Sequence, residues 1–141
     1  LFVLWHDYRN RENTMSEHHG KIHWNELASR DLDKAIAYYT EVCGWTVEAM
    51  DMGEMGVYHV ASLDGVPMAG LCDIASMPGM EDMPAHWMTY LAVSDLDASL
   101  ATTKAHGGQI VSEPVEVPGV GRMAVTKDPG GAIVSFITPE S

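Results

Sequence analysis

Residues 23–45, HWNELASRDLDKAIAYYTEVCGW, predict the first strand and the first helix of the fold. Residues 22–28 alternate loosely between apolar and polar side chains, as a strand does. Apolar side chains then recur at positions 32, 35, 36, 39, 42 and 43, the spacing of an α-helix. Ser29 or Asp31 is the expected N-cap, and Gly44 is expected to end the helix. Because His23 and Glu26 are metal-ligand residue types, the stretch also raises the question of a metal site.

The second half of the chain repeats this pattern at a constant distance. Residues 88–111, MTYLAVSDLDASLATTKAHGGQIV, place Asp95 where Asp31 stood and Gly108 where Gly44 stood, each 64 positions later. Short strand candidates separated by turns follow each helix. The order strand–helix–strand–strand–strand, present twice, predicts an α+β fold of two βαβββ modules.

Composition limits the classes of partner. The chain has 141 residues, enough for one domain with a single core, and its net charge is −12 with only 8 Lys and Arg in total. The basic residues are scattered, so nucleic acid and anionic membranes are not expected as partners. Cys43 and Cys72 make neither a disulfide framework nor a CxxC zinc site, so a reducing, cytoplasmic location is expected.

The domain is expected to begin after an N-terminal extension. Met15 reads like a start residue, so residues 1–14 are interpreted as a segment added by cloning or by upstream translation, and residues 15–20 as a flexible terminus. A single domain is expected over residues 21–139, with module one at about 21–75 and module two at about 86–139. Residues 74–86 form a Met- and Pro-rich connector, whose methionines either line a ligand mouth or pack beneath the loop.

Three segments in this order resemble the vicinal oxygen chelate superfamily, which includes glyoxalase I, bleomycin- and fosfomycin-resistance proteins and extradiol dioxygenases. They are DLDKAIAYYTEVCGW, YLAVSDLDA and KDPGGAIVSF. The resemblance covers about residues 21–139. It implies a βαβββ module used twice and a cup closed either by the two halves of a dimer or by the two modules of one chain, and a homodimer is expected.

The resemblance also implies where metal-using relatives place their ligands. The matching positions here are Trp24, Gly70, Met88 and Ser135. Indole has no lone pair to offer, glycine has no side chain, a thioether is too soft for a hard cation and a hydroxyl is a weak ligand. Neither a metal nor another cofactor is therefore expected, and the chain is similar to the metal-poor branch of the superfamily.

Candidate binding residues follow from the alternation of side chains along a strand. If Trp24 faces the cup, Glu26 does too and His23 faces away. A carboxylate in an apolar cup has a raised pKa and suits a proton acceptor or a ligand anchor, so Glu26 is the candidate catalytic residue. Tyr90 is its repeat partner. The expected substrate-binding residues are Trp24, Met88, Tyr90, Met123 and Ser135.

The leading hypothesis is a protein that binds a small, partly apolar molecule in its cup without a metal, with metal-free lyase or isomerase chemistry left open. One alternative is a metal-dependent lyase or dioxygenase, which needs a register that brings His23, His59 or His86 together with Glu26. Another is a drug-sequestering resistance protein that uses the same cup and no chemistry. The sequence leaves the inward-facing parity of the strand around His59 open.

Overall fold

The computed structural model describes residues 18–140, and within this range it leaves out the side chain of Met55. The predicted extension at residues 1–14 and residues 15–17 lie outside the described residues. The chain divides into two compact units. Unit one is residues 25–87, and unit two is residues 18–24 together with residues 88–140.

The first half follows the predicted order, and the second half has four strands after its helix where three were predicted, because residues 109–117 form two short strands. The elements are β1 (Ile22–Ser29), α1 (Leu32–Cys43), β2 (Thr46–Asp51), β3 (Val57–Leu63), β4 (Val66–Asp73), β5 (His86–Ala92), α2 (Leu96–Ala105), β6 (Gln109–Ile110), β7 (Val115–Val117), β8 (Gly121–Lys127) and β9 (Ile133–Pro139). A short 3₁₀ turn, Gly53–Met55, precedes β3. The predicted strand-rich α+β fold with two helices is confirmed.

Each unit contains a mixed sheet with the same internal pairing. In unit one the strand order is β2-β3-β4-β1, with β1 and β4 parallel and the other pairs antiparallel. In unit two β5 and β9 are parallel, β8 pairs with β9 antiparallel, and β6 and β7 both pair with β8. The first and last strands of each repeat are thus neighbours, which brings residues far apart in sequence onto one sheet face.

Both helices begin at the predicted aspartates. The Asp31 side chain accepts a hydrogen bond from the Lys34 N–H, and the Asp95 side chain accepts one from the Ala98 N–H. Each bond satisfies one of the backbone donors that a helix leaves unpaired in its first turn. The internal repeat therefore places a capping aspartate at the start of both helices.

The two helices end differently. Gly44 follows α1 in the left-handed conformation, with φ 71°, as the sequence predicts. By the repeat, Gly108 should play this role in α2, but α2 already ends at Ala105 and it is Gly107 that has a positive φ of 89°. Two consecutive glycines weaken the helix at this point, so α2 ends earlier than the spacing of 64 predicts.

One hydrophobic cluster lies between helix and sheet in each unit. In unit one the buried residues are Leu27, Ala61 and Leu71, with Tyr39 and Trp45 among the side chains packed against them. In unit two they are Val93, Leu96, Leu100 and Ala124, with Ile110 and Phe136 packed against them. Among the described residues, no helix is long and apolar enough to span a membrane.

Candidate functional site

The parallel pairing of β1 with β4 determines which side chains share the face of the unit-one sheet that lies opposite α1. Glu26 pairs with Gly70, and Gly70 in turn pairs with Val60 of β3. Paired residues of adjacent strands point to the same face, and residues two apart on a strand do so as well. Glu26, Gly70, Val60 and Tyr58 therefore lie on one face, which we call the Glu26 face.

The Glu26 face holds a buried carboxylate bonded to a buried phenol. The Tyr58 hydroxyl donates to Oε2 of Glu26 at 2.8 Å. Glu26 is 0% exposed and Tyr58 is 3% exposed. Because β4 lies between β1 and β3, the tyrosine side chain must reach across β4, where Gly70 presents no side chain. Gly70, one of the positions that the resemblance implies for a metal ligand, pairs with Glu26 on this face.

The Cys72 thiol belongs to the same face. Cys72 pairs with Ala28 on β1 and lies two residues after Gly70. Burial and, to a smaller extent, the negative charge of Glu26 raise the pKa of the Cys72 thiol to about 12. The thiol is therefore protonated at neutral pH and is neither a nucleophile nor a metal ligand in this state.

His59 lies on the opposite face. It pairs with Leu71 of β4 and Ala49 of β2, so its ring points to the side of the sheet where α1 packs. Its Nδ1 atom is buried and has no hydrogen-bond partner among the described residues. The sequence left the parity of this strand open, and the structure resolves it in favour of Tyr58 and against His59.

Unit two has an equivalent face. Tyr90 pairs with Ser135 on β9, and Ser135 pairs with Val125 on β8, two residues after Met123. Met88 lies two residues before Tyr90 and shares its face. One face of the unit-two sheet therefore holds the four predicted binding residues that lie on β5, β8 and β9: Met88, Tyr90, Met123 and Ser135.

The predicted binding residues are buried in the structure. Met88, Tyr90, Met123 and Ser135 are 4%, 2%, 8% and 0% exposed, and Trp24 on β1 is 2% exposed. The Ser135 hydroxyl has no hydrogen-bond partner within residues 18–140. An unsatisfied buried hydroxyl is costly, so it is a position where a ligand atom or a water molecule is expected to bond.

The metal-ligand positions implied by the resemblance do not fit a divalent cation. Trp24, Gly70, Met88 and Ser135 together offer one hydroxyl oxygen and one thioether sulfur, whereas such ions take nitrogen, carboxylate or thiolate donors. Within the part of the chain that the structure describes, no three His, Cys, Asp or Glu side chains form a group that could hold a metal. We therefore derive no chemical step through a metal.

The remaining candidate residues are histidines, and each makes a contact within the fold. His18 and His19 lie in the segment predicted to be flexible, residues 15–20, yet His18 is buried, and His19 Nδ1 accepts from the Ser94 N–H at 2.9 Å. His23 is buried, and its ring lies edge-on to that of His18 at 6.1 Å. His86 Nδ1 lies 2.9 Å from the Pro84 carbonyl oxygen. None of these contacts brings a histidine to the Glu26 carboxylate.

The methionines of the connector, residues 74–86, pack against buried residues beneath the loop. Met77, Met80 and Met83 contact a buried cluster of Ala28, Cys72 and Ile74. Arg30 holds the connector in place, because its guanidinium donates to the carbonyl oxygens of Met80 and Met83, each at 2.9 Å. Of the two readings of these methionines, the structure favours packing.

The sequence left Tyr58 open as a member of the Glu26 face and did not predict Cys72. The alternation in VYHVASL does not say which set of side chains faces α1 and which faces the opposite side. Only the pairing of His59 with Leu71 decides this. Once the pairing is known, Tyr58 follows as a residue on the same face as the carboxylate, two positions before Val60.

Comparison with known proteins identifies relatives along most of the chain. CFP32 of Mycobacterium bovis, provisionally named a glyoxylase, is 39% identical over 136 residues, 96% of this chain and 51% of that protein. The anthracycline biosynthesis protein DnrV of Streptomyces peucetius is 34% identical over 119 residues, 77% of this chain and 43% of that protein. The chain thus spans about half the length of these two relatives.

A third relative has a similar length. A Vibrio cholerae protein provisionally named lactoylglutathione lyase is 30% identical over 129 residues, 87% of this chain and 92% of that protein. Among solved structures, methylmalonyl-CoA epimerase from Mycobacterium tuberculosis matches with a TM-score of 0.57 at 19% identity, covering 86% of this chain and 89% of that one. This structural likeness concerns the fold alone.

A family model matches residues 21–136, which is most of the domain predicted from the sequence. The match includes both helices, the Glu26 face and the four predicted binding residues of unit two, Met88, Tyr90, Met123 and Ser135. The chain belongs to the Glyoxalase/Bleomycin resistance protein/Dioxygenase superfamily.

Proposed function

We propose that this protein binds a small, partly apolar molecule without a metal, with Glu26 as the polar anchor or proton acceptor. The observation that carries the proposal is the Glu26 carboxylate, fully buried on a sheet face and bonded to the Tyr58 hydroxyl at 2.8 Å. Burying a carboxylate is unfavourable for folding even when it accepts hydrogen bonds such as the one from the Tyr58 hydroxyl. A role in recognising or deprotonating a ligand accounts for its presence.

The proposed contact residues of the ligand are Trp24, Met88, Tyr90, Met123 and Ser135. Two methionines and two aromatic side chains offer an apolar, adaptable surface, and the Ser135 hydroxyl offers one hydrogen bond. Since these side chains are buried, a ligand reaches them only by displacing the groups that cover them. Binding is therefore expected to be accompanied by a conformational change.

The proposed chemistry, if the protein is catalytic, is proton abstraction by Glu26 from a carbon acid. A carboxylate can accept a proton from a carbon adjacent to a carbonyl group, which is a step of lyase and isomerase reactions. The names of the relatives, a glyoxylase and a lactoylglutathione lyase, support this class of substrate. The anthracycline biosynthesis relatives support a larger aromatic ligand instead.

Two alternatives make different predictions. A metal-dependent lyase or dioxygenase requires histidine ligands beside Glu26, and the register of β3 places His59 on the other face. A drug-sequestering protein would use the same apolar surface without turnover. The proposal favours a metal-independent binder over the first alternative, and turnover distinguishes it from the second.

Two further parts of the proposal concern the environment. We propose a homodimer in the cytoplasm, whose partner molecules are small ligands and not nucleic acids or membranes. The free thiols of Cys43 and Cys72 support a reducing compartment. Light scattering of the purified chain tests the dimer, and cell fractionation tests the location.

The experiment that tests the proposal has two arms. Protein purified without chelator is analysed for metals, and the hemithioacetal of a 2-oxoaldehyde is supplied as substrate with and without EDTA. The proposal predicts less than one tightly held ion per chain, and any turnover is expected to persist in EDTA and to be lost in Glu26→Gln. One stoichiometric ion whose removal abolishes turnover would support the metal-dependent alternative.

A further inference from the structure

Unit two contains a cavity that the proposed function does not use. It has a volume of about 630 Å³ and lies between α2 and the hairpin of β8 and β9. We propose that this cavity binds a small amphiphilic cation, an amine with an aromatic or aliphatic body. Its apolar body would lie on the sheet, and its positive group would bind at Asp128.

The lining has the composition of a small-molecule site. The floor is apolar and includes Val93, Val134 and Phe136, and most other lining residues on the helix side carry hydroxyl groups: Ser94, Ser99, Thr102 and Thr103. Pockets for small ligands typically have volumes of about 300–1,000 Å³, with an apolar lining and a few polar groups that orient the ligand. The cavity lies within that range.

The internal repeat explains why the cavity exists. In unit one Tyr39 of α1 stacks on Trp45 at 5.9 Å, and both pack against the core beneath the helix. The residues 64 positions later are Thr103 and Gln109. A threonine has a much smaller side chain than a tyrosine, so the space that aromatic rings fill in unit one stays open in unit two.

The charge of the lining selects a cation. Two aspartates, Asp95 and Asp128, line the cavity, and neither lysine nor arginine is among its described lining residues. The Asp95 carboxylate caps the start of α2, where the helix dipole already favours negative charge. Its charge is therefore largely offset by the helix, and it is not the expected cation site.

Asp128 lies at the other end of the cavity. Its Oδ1 atom accepts from the N–H groups of Gly130 and Ala132, both at 2.9 Å, which fixes the carboxylate and leaves Oδ2 to accept from a ligand. This end is also lined by Thr102, Thr103 and His106, from the last turn of α2 and its C-cap. The carbonyl end of a helix carries a partial negative charge, so the helix and Asp128 act in the same direction.

The test uses two naphthalene probes of the same size and opposite charge, 2-(1-naphthyl)ethylamine and 1-naphthylacetate. Each is titrated into the ¹⁵N-labelled full chain, and amide shifts are followed by NMR. The amine is expected to bind saturably and to shift the amides of Thr103 and Asp128. The acetate is expected to bind at least on the order of fivefold more weakly, the effect of one partly exposed charge pair.

Two pairs of variants locate the site. Thr103→Tyr restores the aromatic side chain of the repeat and should abolish amine binding, whereas Thr103→Val keeps the volume open and should retain it. Asp128→Asn keeps the Oδ1 acceptor but removes the charge, and should weaken amine binding on the order of fivefold. Asp64→Asn is the matched control, because Asp64 is the repeat counterpart of Asp128 and does not line the cavity.

Each outcome decides the proposal. Loss of amine binding in Thr103→Tyr but not in Thr103→Val, together with a weaker affinity in Asp128→Asn but not in Asp64→Asn, supports it. Unchanged binding in Thr103→Tyr overturns the assignment of the site. Equal affinity for amine and acetate overturns the cation preference, and absence of saturable binding by either probe overturns the proposal as a whole. Each variant is verified to be folded by an NMR spectrum whose amide signals are as well dispersed as those of wild type.

Discussion

The Tyr58 hydroxyl and the Glu26 carboxylate, 2.8 Å apart, join two strands that are not neighbours. Glu26 lies on β1 and Tyr58 on β3, with β4 between them. Gly70 of β4 pairs with Glu26 and lies on the same face as the two side chains.

Replacing Tyr58 with phenylalanine removes the donor and leaves the ring. Hydrogen bonds to charged groups contribute about 1.5–3 kcal/mol, so Tyr58→Phe should lower the free energy of unfolding in urea by roughly this amount. The Glu26→Gln substitution keeps an acceptor oxygen but removes its charge, so both substitutions weaken the same bond, and the double variant should be less destabilised than the sum of the single variants. Strict additivity would mean that the two groups do not stabilise each other.

The two cysteines should differ sharply in reactivity. Cys43 is exposed, whereas Cys72 is buried with its pKa raised to about 12. Since the thiolate is the reactive form, iodoacetamide at pH 8 should label native protein at Cys43 alone. Mass spectrometry of tryptic peptides measures this, and Cys43→Ser should then take up no label until urea is added. Rapid labelling of Cys72 in the folded variant would contradict its burial.

Because of the raised pKa of the Cys72 thiol, we also expect the protein to lose stability in alkaline solution. The pKa of the thiol rises from 9.0 to about 12 on folding, so between these pH values the folded state binds more protons than the unfolded state. Stability from this group is complete below pH 9 and falls as pH rises, by at most about 1.4 kcal/mol per pH unit. Other groups titrate in this range, so the measured quantity is the difference between wild type and Cys72→Ala in urea unfolding at pH 8 and pH 10.

In that comparison, wild type should lose more stability than Cys72→Ala between the two pH values. Cys43→Ala serves as the control and should follow wild type. If wild type and Cys72→Ala lose the same stability, the thiol does not titrate with the expected displacement.

The helix caps test the internal repeat. Asp31→Ala and Asp95→Ala each remove the acceptor for one N–H of the first turn, and each should cost about 0.5–2 kcal/mol of unfolding free energy. Asparagine keeps a cap oxygen, so Asp31→Asn and Asp95→Asn should cost much less. Equal losses for alanine and asparagine would assign the effect to charge and not to the cap bond.

Much of the fold can be predicted from the sequence because its signals are local. The Asp31 cap, the apolar spacing of α1 and the Gly44 stop are encoded within one stretch, and the repeat transfers the cap to Asp95. The early end of α2 could not be predicted, because the repeat distance of 64 residues assigns the end of the helix to Gly108 and takes no account of Gly107 before it.

The candidate site was harder to predict because it depends on strand pairing. Glu26 and Tyr90 are 64 residues apart, but their partners Gly70 and Ser135 are 65 apart, so the last strand of the second repeat is displaced by one residue. The choice between Tyr58 and His59 likewise rests on register, which the alternation of side chains leaves undetermined. The cavity beside α2 could not be predicted from the sequence. It depends on how each helix packs against its own sheet, and it is recognised only when the packing of α1 and α2 is compared.

Metal-independent ligand binding at Glu26 is the central claim, and one measurement tests it most directly. Small molecules that raise the melting temperature of wild type in a thermal-shift screen are titrated calorimetrically into wild type and Glu26→Gln, each in excess EDTA. The account predicts saturable binding to wild type in EDTA and a loss of affinity in Glu26→Gln on the order of tenfold or more, the effect of a buried hydrogen bond to a charged group. Binding that requires an added divalent cation, or that Glu26→Gln leaves unchanged, would contradict it.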